Sequence, residues 1–374
     1  MDNVLATLEE IRGFPSARPI ARGIKSREEI RAYVVERLGE EYPPEVVRAE
    51  GELLGFLGLL PADLDYSTFF LDLLIEQIAG YYDPVTDVFY LADWLPEAIQ
   101  LPVMAHELTH ALQDQQVELS KLLEPDLENE DRTLARAAVF EGEGLLVMLL
   151  YALRPMGTSL QTLPDIVRLQ EAQLPLMEAQ FPMFAAAPAF LKASLMFPYT
   201  YGAAFVRAYL ERHGWSQITR LYRDLPTSTE QILHPEKYLG VRDDPTPVPS
   251  PAPPDTTSGW APVLSLTLGE FGLRELLRRF VAPETAAEAA AGWDGDRLAY
   301  WKNGNGKSAV TLRSRWDSEN DANAFAAVMR SWLQSWAAWR SAETAGDSER
   351  TLGVPRWAVE TAGVEVTVRA WETE

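Results

Sequence analysis

Three residues near the middle of the first half of the chain have the types and spacing of a metal site. His106, Glu107 and His110 form the pattern H-E-x-x-H within the stretch PVMAHELTHALQDQQVEL. On a helix, residues four positions apart lie on one face, one turn above the other. Two imidazoles in that arrangement can bind one Zn²⁺, and the glutamate beside the first can act as a base on a water that the metal activates.

The other residues of this stretch predict a helix with two different sides. At about 100° per residue, Gln113 and Asp114 share the side of the two histidines, whereas Leu108 and Leu112 fall on the opposite side. The apolar side can pack on a core while the polar side presents the histidines, which argues against a chance match on an exposed helix. We therefore predict a helix from Pro102 to Leu123 that carries a zinc site.

The motif resembles that of the zinc metallopeptidases called zincins. One branch, the metzincins, continues it as H-E-x-x-H-x-x-G-x-x-H, but Gln113 and Gln116 occupy those two positions here, which excludes that branch. The other main branch, the gluzincins, takes a glutamate from a following helix as the third ligand. The resemblance implies an α+β, helix-rich fold with a small sheet, the H-E-x-x-H helix and a following glutamate helix. A water completes such a site.

Four glutamates after the motif are candidates for the third ligand: Glu128, Glu130, Glu141 and Glu143. On a helix predicted from Glu130 to Leu153, Glu141 shares its face with apolar residues, where a carboxylate is costly unless it binds a cation or is paired. Glu143 lies on the other side, near Arg132 and Arg136, and an ion pair would explain it. We predict that Glu141 is the ligand. Glu128 and Glu130, in the polar connection, remain alternatives.

The segment around Glu141 carries a second resemblance. Phe140-Glu141-Gly142-Glu143-Gly144 resembles the E-G segment that carries the third ligand in several gluzincin families. Thermolysin-like families place an aspartate four residues after that ligand to orient a zinc histidine, but Leu145 stands there in this chain. We predict that Asp114, one turn after His110, orients the histidine instead.

A residue that stabilises the oxyanion of a peptidase's tetrahedral intermediate is expected further along the chain. Gluzincins commonly use a downstream histidine or tyrosine for this purpose, and His234 is the predicted donor. Tyr199, Tyr201 and Tyr238 are alternatives. The stretch around His234 is similar to one in a set of bacterial H-E-x-x-H proteins, which share the motif helix, the E-G helix and this loop over roughly residues 70 to 240. That resemblance implies no particular substrate.

These residues together predict zinc-dependent hydrolysis of a peptide or protein substrate. His106, His110 and Glu141 are the predicted Zn²⁺ ligands, Glu107 the general base and His234 the oxyanion donor. The alternative is a non-catalytic zinc-binding scaffold or interaction protein that retains the zincin fold. An intact Glu107 favours the enzyme, because zinc binding alone does not need it.

The composition of the chain excludes several other classes of function. Lys and Arg number 33 and Asp and Glu 55, which gives a net charge of −22. Such a surface argues against nucleic acid or an anionic membrane as a partner, since both are polyanions. The sequence has no cysteine, which excludes disulfides and cysteine-ligated zinc. No signal peptide is visible in the polar start MDNVLATLEEIRG; a processed extracytoplasmic chain would look the same, so the compartment stays open.

The longest weakly polar run of the sequence extends from Met183 to Val206. Pro188, Lys192 and Pro198 interrupt it, whereas a membrane span needs about 20 apolar residues in an uninterrupted helix. We therefore predict no integral membrane segment, and two buried helical pieces that break at Phe197-Pro198.

A proline-rich stretch predicts the domain organisation. Residues 243–257 read DDPTPVPSPAPPDTT, and proline at this density forms neither a helix nor a central strand. We predict an extended linker between a zincin-like domain with an N-terminal helical region (1–242) and a smaller α+β unit (258–374). Within the first domain, residues 1–23 are expected to be loosely structured. Residues 80–93 predict a hairpin. The zincin resemblance implies that its segment Val88–Leu91 pairs with an extended substrate, and an ordinary edge strand is the alternative.

Overall fold

The helices and strands of the chain form an α+β, helix-rich fold, as predicted. The structure is a computed structural model that describes residues 2–61, 63–256, 258–346 and 354–373. The helices are α1 (Asp2–Arg12), α2 (Arg27–Glu41), α3 (Pro44–Phe56), α4 (Tyr66–Gln77), α5 (Glu97–Asp114), α6 (Leu119–Leu122), α7 (Glu130–Leu153), α8 (Ile166–Gln180), α9 (Pro182–Ala186), α10 (Ala189–His213), α11 (Ile218–Arg223), α12 (Thr229–Leu233), α13 (Glu236–Leu239), α14 (Gly269–Leu277), α15 (Pro283–Ala290) and α16 (Glu319–Gly346). The strands are β1 (Ala21–Lys25), β2 (Gly80–Asp83), β3 (Val88–Ala92), β4 (Ala261–Leu266), β5 (Trp293–Lys302), β6 (Ser308–Trp316), β7 (Val354–Ala362) and β8 (Glu365–Thr373). Among these helices, none has the length and apolar character needed to cross a bilayer.

A three-stranded sheet lies beside the H-E-x-x-H helix, which is α5. The predicted hairpin is confirmed: β2 and β3 pair antiparallel, and Asp83 holds the turn by accepting the N–H of Val85 at 3.0 Å. The strand order is β1-β3-β2, so β3 has a neighbour on each side. The expectation that Val88–Leu91 pairs with an extended substrate is therefore wrong, because both of its edges are already hydrogen bonded. The outer strand next to it is β2.

The helices α5, α7 and α10 form the framework of the candidate site. The predicted bounds of α7 are confirmed. A Cβ on Gly142 would lie 2.2 Å from the carbonyl carbon of Gly202, and one on Gly202 would lie 2.0 Å from the carbonyl oxygen of Ala138. The backbones of α7 and α10 therefore touch, which only glycine allows. One glycine of the E-G segment is explained by this contact.

Two predicted helix boundaries are wrong. The motif helix runs over Glu97–Asp114 rather than Pro102–Leu123, because the Asp114 side chain accepts the N–H of Leu119 and turns the chain into the separate helix α6. The expected break at Phe197-Pro198 does not occur, since α10 continues through Pro198. Close packing of α10 on α7 offsets the hydrogen bond that the proline cannot make.

The first part of the chain is ordered by long-range contacts. The prediction that residues 1–23 are loosely structured is wrong, since they contain α1 and the first residues of β1. Val4 and Leu8 of α1 are buried in a core with Leu108 and Leu112 from the apolar side of α5. These partners lie about a hundred positions away in the sequence, so the local pattern of the segment does not reveal them.

The C-terminal unit is an antiparallel five-stranded sheet in the order β4-β5-β6-β8-β7, with α16 packed on one face. Its core continues into the helices before the proline-rich stretch. Trp336 of α16 is buried and donates its indole N–H to the carbonyl oxygen of Phe56 in α3 at 2.8 Å. Residues on both sides of 243–257 thus share one hydrophobic core. Residues 243–256, the part of the proline-rich stretch that the structure describes, form no helix or strand, as expected of an extended segment.

Candidate metal centre

Two histidine nitrogens and one carboxylate oxygen converge between α5 and α7. His106 Nε2 lies 3.1 Å from Glu141 Oε2 and 3.0 Å from His110 Nε2, and His110 Nε2 lies 3.5 Å from Glu141 Oε2. All three atoms thus lie within 4.8 Å of one another. Two imidazoles and one carboxylate are a donor set that suits Zn²⁺, and a shared metal explains why three such atoms crowd together. The residues present fit the metal that the motif implies.

The second glycine of the E-G segment, Gly144, is needed for a different contact. A Cβ on Gly144 would lie 2.7 Å from the ring carbon Cε1 of His106. A side chain at this position would push the histidine away from Glu141. Gly144 therefore lets α7 approach α5 closely enough for the three donor atoms to meet.

The charges at this site favour a bound cation. Burial raises the pKa of the Glu141 carboxyl, but the charge and hydrogen bonds of the two histidines outweigh it and hold this pKa well below its usual range. Burial lowers the pKa of His110, whereas Glu141 raises it, and the net result is a pKa of about 9. Glu141 is therefore a carboxylate, and positive charge beside it is stabilised.

Glu107 lies beside the three converging atoms and is held by the small sheet. Its Oε2 accepts the backbone N–H of Tyr82, in β2, at 3.0 Å. Burial raises the pKa of its carboxyl, and the neighbouring His106 and His110 counteract the burial. The predicted base therefore lies next to both histidines and to the outer strand.

The residue that orients His110 is not the predicted one. His110 Nδ1 lies 2.8 Å from Gln113 Oε1, which is an acceptor, so Nδ1 carries a proton and Nε2, which faces Glu141, is the nitrogen that a metal would bind in place of a proton. Asp114 instead accepts hydrogen bonds from Arg18, Tyr82 and the N–H of Leu119. The expectation for Asp114 is wrong, because it lies one residue further round the helix from His110 than Gln113 does.

Gln113 connects the metal centre to a buried ion pair. Its side-chain N–H₂ donates to Glu143 Oε2 and to the carbonyl oxygen of Phe140, each at 3.0 Å. Glu143 pairs at 2.9 Å with Arg12 of α1, and both side chains are fully buried. Tyr222 also donates its hydroxyl to Glu143. The expectation that Glu143 pairs with Arg132 or Arg136 is wrong, since its partner is Arg12, near the start of the sequence.

Tyr199 joins the centre, whereas His234 does not. The Tyr199 ring lies 5.9 Å from that of His106, and the charge of the nearby Glu141 carboxylate raises the pKa of its phenol. His234 Nε2 lies 2.9 Å from Glu270 Oε1 in α14, and no contact joins His234 to the three ligands in the part of the chain that the structure describes. The structure therefore places the predicted oxyanion donor away from the centre.

The remaining alternatives lie elsewhere. Tyr201 accepts a hydrogen bond from Arg274, and Tyr238 donates one to the carbonyl oxygen of Asp224. Glu128 lies near Arg297, and Glu130 is the first residue of α7, with its carboxyl next to that of Glu50. Sequence analysis missed Arg12, Gln113 and Tyr222. Helical periodicity places Gln113 on the histidine side of the motif helix, and this position is the feature of the sequence that could have identified it.

Comparison with known proteins concerns the other end of the chain. A family model described as a domain of unknown function (DUF8575) matches residues 263–374, which contain most of the five-stranded sheet and α14 to α16. No curated protein and no solved structure matches the chain. The candidate metal centre lies outside the matched residues, so its chemistry is argued from its own geometry.

Proposed function

We propose that the protein is a zinc-dependent metallopeptidase of the gluzincin type. The observation that carries this proposal is the convergence of His106 Nε2, His110 Nε2 and Glu141 Oε2, with the Glu107 carboxylate beside them. The small sheet, the motif helix and the following glutamate helix are also the parts that the zincin resemblance implies. In this proposal His106, His110 and Glu141 hold the metal. A zinc ion bound there supplies a Lewis acid that polarises the scissile carbonyl and lowers the pKa of water to roughly 7.

Glu107 supplies the proton transfers of the proposed reaction. Its carboxylate accepts a proton from the attacking water and passes it to the leaving amine, so the residue returns to its starting state. The N–H of Tyr82 fixes one carboxylate oxygen and leaves the other for the water. No covalent intermediate is needed, which suits a chain without cysteine.

Tyr199 replaces His234 as the proposed oxyanion donor. Its ring packs beside that of His106, and its phenol is close enough to Glu141 for the carboxylate charge to raise its pKa. A phenol held there donates its proton to the negative charge that develops on the carbonyl oxygen during attack. This contact is stronger in the transition state than in the ground state, which is the condition for faster catalysis.

The outer strand β2 is the proposed docking edge for an extended peptide. It takes the role expected of β3, whose two edges are occupied. Because Tyr82 of β2 contacts the general base directly, a peptide paired along this strand would pass beside Glu107.

The test combines metal analysis with cleavage of an unstructured protein such as casein. The purified chain is expected to contain one zinc and to cleave casein, while Glu107→Gln keeps the zinc and loses cleavage. Zinc without cleavage in the unaltered chain would support the non-catalytic scaffold instead. Cleavage that survives in Glu107→Gln would remove Glu107 from its role.

A further inference from the structure

An aromatic surface lies on the face of the five-stranded sheet that α16 does not cover. Successive strand residues alternate between faces. Tyr300 of β5 belongs to the main core under α16, whereas Trp301 lies on the opposite face. We call this second surface the tryptophan face, and its members are Ala299, Trp301, Ala309, Trp260 and Trp371. Trp301 is only 8% exposed and Ala309 is fully buried, so another part of the chain covers them.

The proline-rich segment lies over this face. We call residues 245–255 the strap. Three hydrogen bonds hold it along β4 and β5. The Thr246 N–H donates to the Asp294 carbonyl oxygen at 2.6 Å, and the hydroxyl oxygens of Ser250 and Ser265 lie 3.5 Å apart. The indole N–H of Trp260, just before β4, donates to Asp255 Oδ2 at 3.0 Å. Ser265 is paired with Ala299 in the sheet, so the middle of the strap passes beside the tryptophan face.

The length of the strap matches that of the strand beneath it. The first fastening lies at Asp294, near the start of β5, and the last at Trp260, next to the residue that pairs with Lys302 at the end of β5. In polyproline II conformation the strap spans about 28 Å from Thr246 to Asp255, at roughly 3.1 Å per residue. The strand from Asp294 to Lys302 spans about 26 Å, at roughly 3.3 Å per residue. The strap therefore runs along β5 in an extended conformation.

In the middle of the strap, burial has the period of a polyproline II helix. Val248 is half-buried and Pro251 is buried, whereas Pro247, Pro249, Ser250 and Ala252 around them are exposed. Towards the two ends, Pro245 and Pro254 continue the period, and their neighbours Thr246, Pro253 and Asp255 are half-buried as well. Since polyproline II has three residues per turn, Pro245, Val248, Pro251 and Pro254 form one edge of the helix. Val248 on this edge lies beside Gly295 of the sheet.

The start of β5 is shaped for this contact. A Cβ on Gly295 would lie 2.2 Å from the carbonyl oxygen of Thr246 and 3.3 Å from a methyl group of Val248. The missing side chain at Gly295 lets the backbone of the strap approach the sheet closely.

We propose that the tryptophan face is a binding site for proline-rich peptides in polyproline II conformation, and that the strap is a resident ligand which such a segment of another protein displaces. Surfaces that recognise these peptides combine flat aromatic side chains with indole N–H donors, and a polyproline II peptide loses little entropy on binding. The tryptophan face supplies three indole rings; the N–H of Trp260 donates to the strap, while that of Trp301 donates to Thr311 of β6. The partner is a segment with proline or valine at every third position.

The test uses the full chain and a fluorescein-labelled peptide with the sequence of residues 243–257. In the unaltered chain the strap is present at an effective concentration on the order of millimolar, which keeps micromolar peptide out. The face variant replaces Pro245, Val248, Pro251 and Pro254 by glycine. We expect it to bind the peptide roughly tenfold or more tightly than the unaltered chain, measured by fluorescence anisotropy.

The matched control replaces the exposed Pro247, Pro249 and Ala252 by glycine and is expected to behave as the unaltered chain does. Circular dichroism verifies that both variants are folded. The proposal is overturned if the folded face variant binds no more tightly than the unaltered chain, or if the control gains as much affinity as the face variant.

A second variant answers the question if the face variant does not fold. Ser250→Cys with Ser265→Cys places the only two thiols of the chain where the hydroxyl oxygens lie 3.5 Å apart. Oxidation locks the strap on the face. The reduced form is expected to bind peptide titrated to about 10 mM, above the effective concentration of the strap, and the oxidised form to bind none. Equal binding by the two forms, or binding by neither, contradicts displacement of the strap.

Discussion

Two clusters of metal-binding atom types lie among the residues that the structure describes, and they differ in what neutralises their charge. The first is His106, His110 and Glu141; the second is Glu230, Asp243 and Asp317. In each cluster the donor atoms lie within 4.8 Å of one another. The second cluster surrounds the ammonium group of Lys237, which lies 2.6 to 2.9 Å from a carboxylate oxygen of each acid.

The difference separates a structural cluster from a chemical one. Lys237 supplies the positive charge of the second cluster from within the chain, so that cluster needs no ion. It ties Asp243, just before the strap, and Asp317 of the C-terminal unit to Glu230 of α12. At the first cluster, two imidazole Nε2 atoms, which can bind a metal once they lose a proton, face one carboxylate. Proximity of acids alone therefore does not indicate a metal centre. Imidazole donors with a base beside them are what support the proposed zinc site.

The largest expected effect is on zinc content. Glu141→Ala should lose the metal, with affinity falling more than about a hundredfold, since loss of a ligand exceeds the usual effect of losing a group behind one. Lys237→Ala should leave one zinc per chain, because its cluster contains only carboxylates. Elemental analysis of both variants after dialysis against a chelator measures this. A second zinc in Lys237→Ala, or full zinc in Glu141→Ala, would reverse the assignment of the two clusters.

The next effect concerns the ion pair behind the centre. Arg12→Ala leaves the buried Glu143 without its cation, which typically costs about 3 to 5 kcal/mol of unfolding free energy. The matched control is Arg31→Ala, whose pair with Asp72 is exposed and worth at most about 1 kcal/mol. Urea denaturation of both variants gives the difference. Equal losses would mean that the Arg12 pair is no more important than a surface pair.

A smaller effect separates Tyr199 from His234. Tyr199→Phe should lower kcat by about 10² to 10³, as loss of an oxyanion donor does in other hydrolases, with zinc content unchanged. His234→Asn should alter kcat less than about threefold, because His234 contacts Glu270 rather than the centre. Steady-state kinetics on a fluorogenic peptide mixture distinguishes them. A larger loss in His234→Asn would restore the role that the sequence predicted for it.

The sequence predicted the residues of the centre better than those that support it. His106, His110 and Glu141 follow from helical periodicity and from the cost of a carboxylate on an apolar face, and the structure brings them together. Both rules act within one or two turns of a helix. The partner of Glu143 is 131 positions away, and no local pattern identifies it. The hairpin could be predicted for the same reason as the ligands, because it depends on its own turn residues. The position of β3 inside the sheet could not, because it depends on pairing with the distant strand β1.

The strap shows the same limit from another side. Its proline content correctly predicts an extended segment without helix or strand. The period of three in its burial is also present in the sequence, as Pro245, Val248, Pro251 and Pro254, but any proline-rich linker contains such spacings. The tryptophan face accounts for the burial of these residues, and that face is assembled from strands far apart in the sequence.

The smallest expected effect is a dependence of stability on pH, and it sharpens the contrast between Glu141 and the other buried acids. Burial, with repulsion from Glu50, raises the pKa of Glu130 to about 8. Burial raises the pKa of Asp131 to about 7. In the unfolded chain these groups titrate near pH 4, so the folded state binds more protons between pH 5 and 8.

Stability should therefore fall as the pH rises through this window, by on the order of 1 kcal/mol or more for each group. Urea denaturation at pH 5.5, 6.5 and 7.5 measures the slope. Glu130→Gln, which carries no charge, should flatten it, whereas the exposed Glu128→Gln should leave it unchanged. A stability that stays level or rises from pH 5.5 to 7.5 in the unaltered chain would show that these carboxyls are ionised in the folded state. Their burial would then be balanced by cations, as the Glu141 carboxylate is balanced by its histidines.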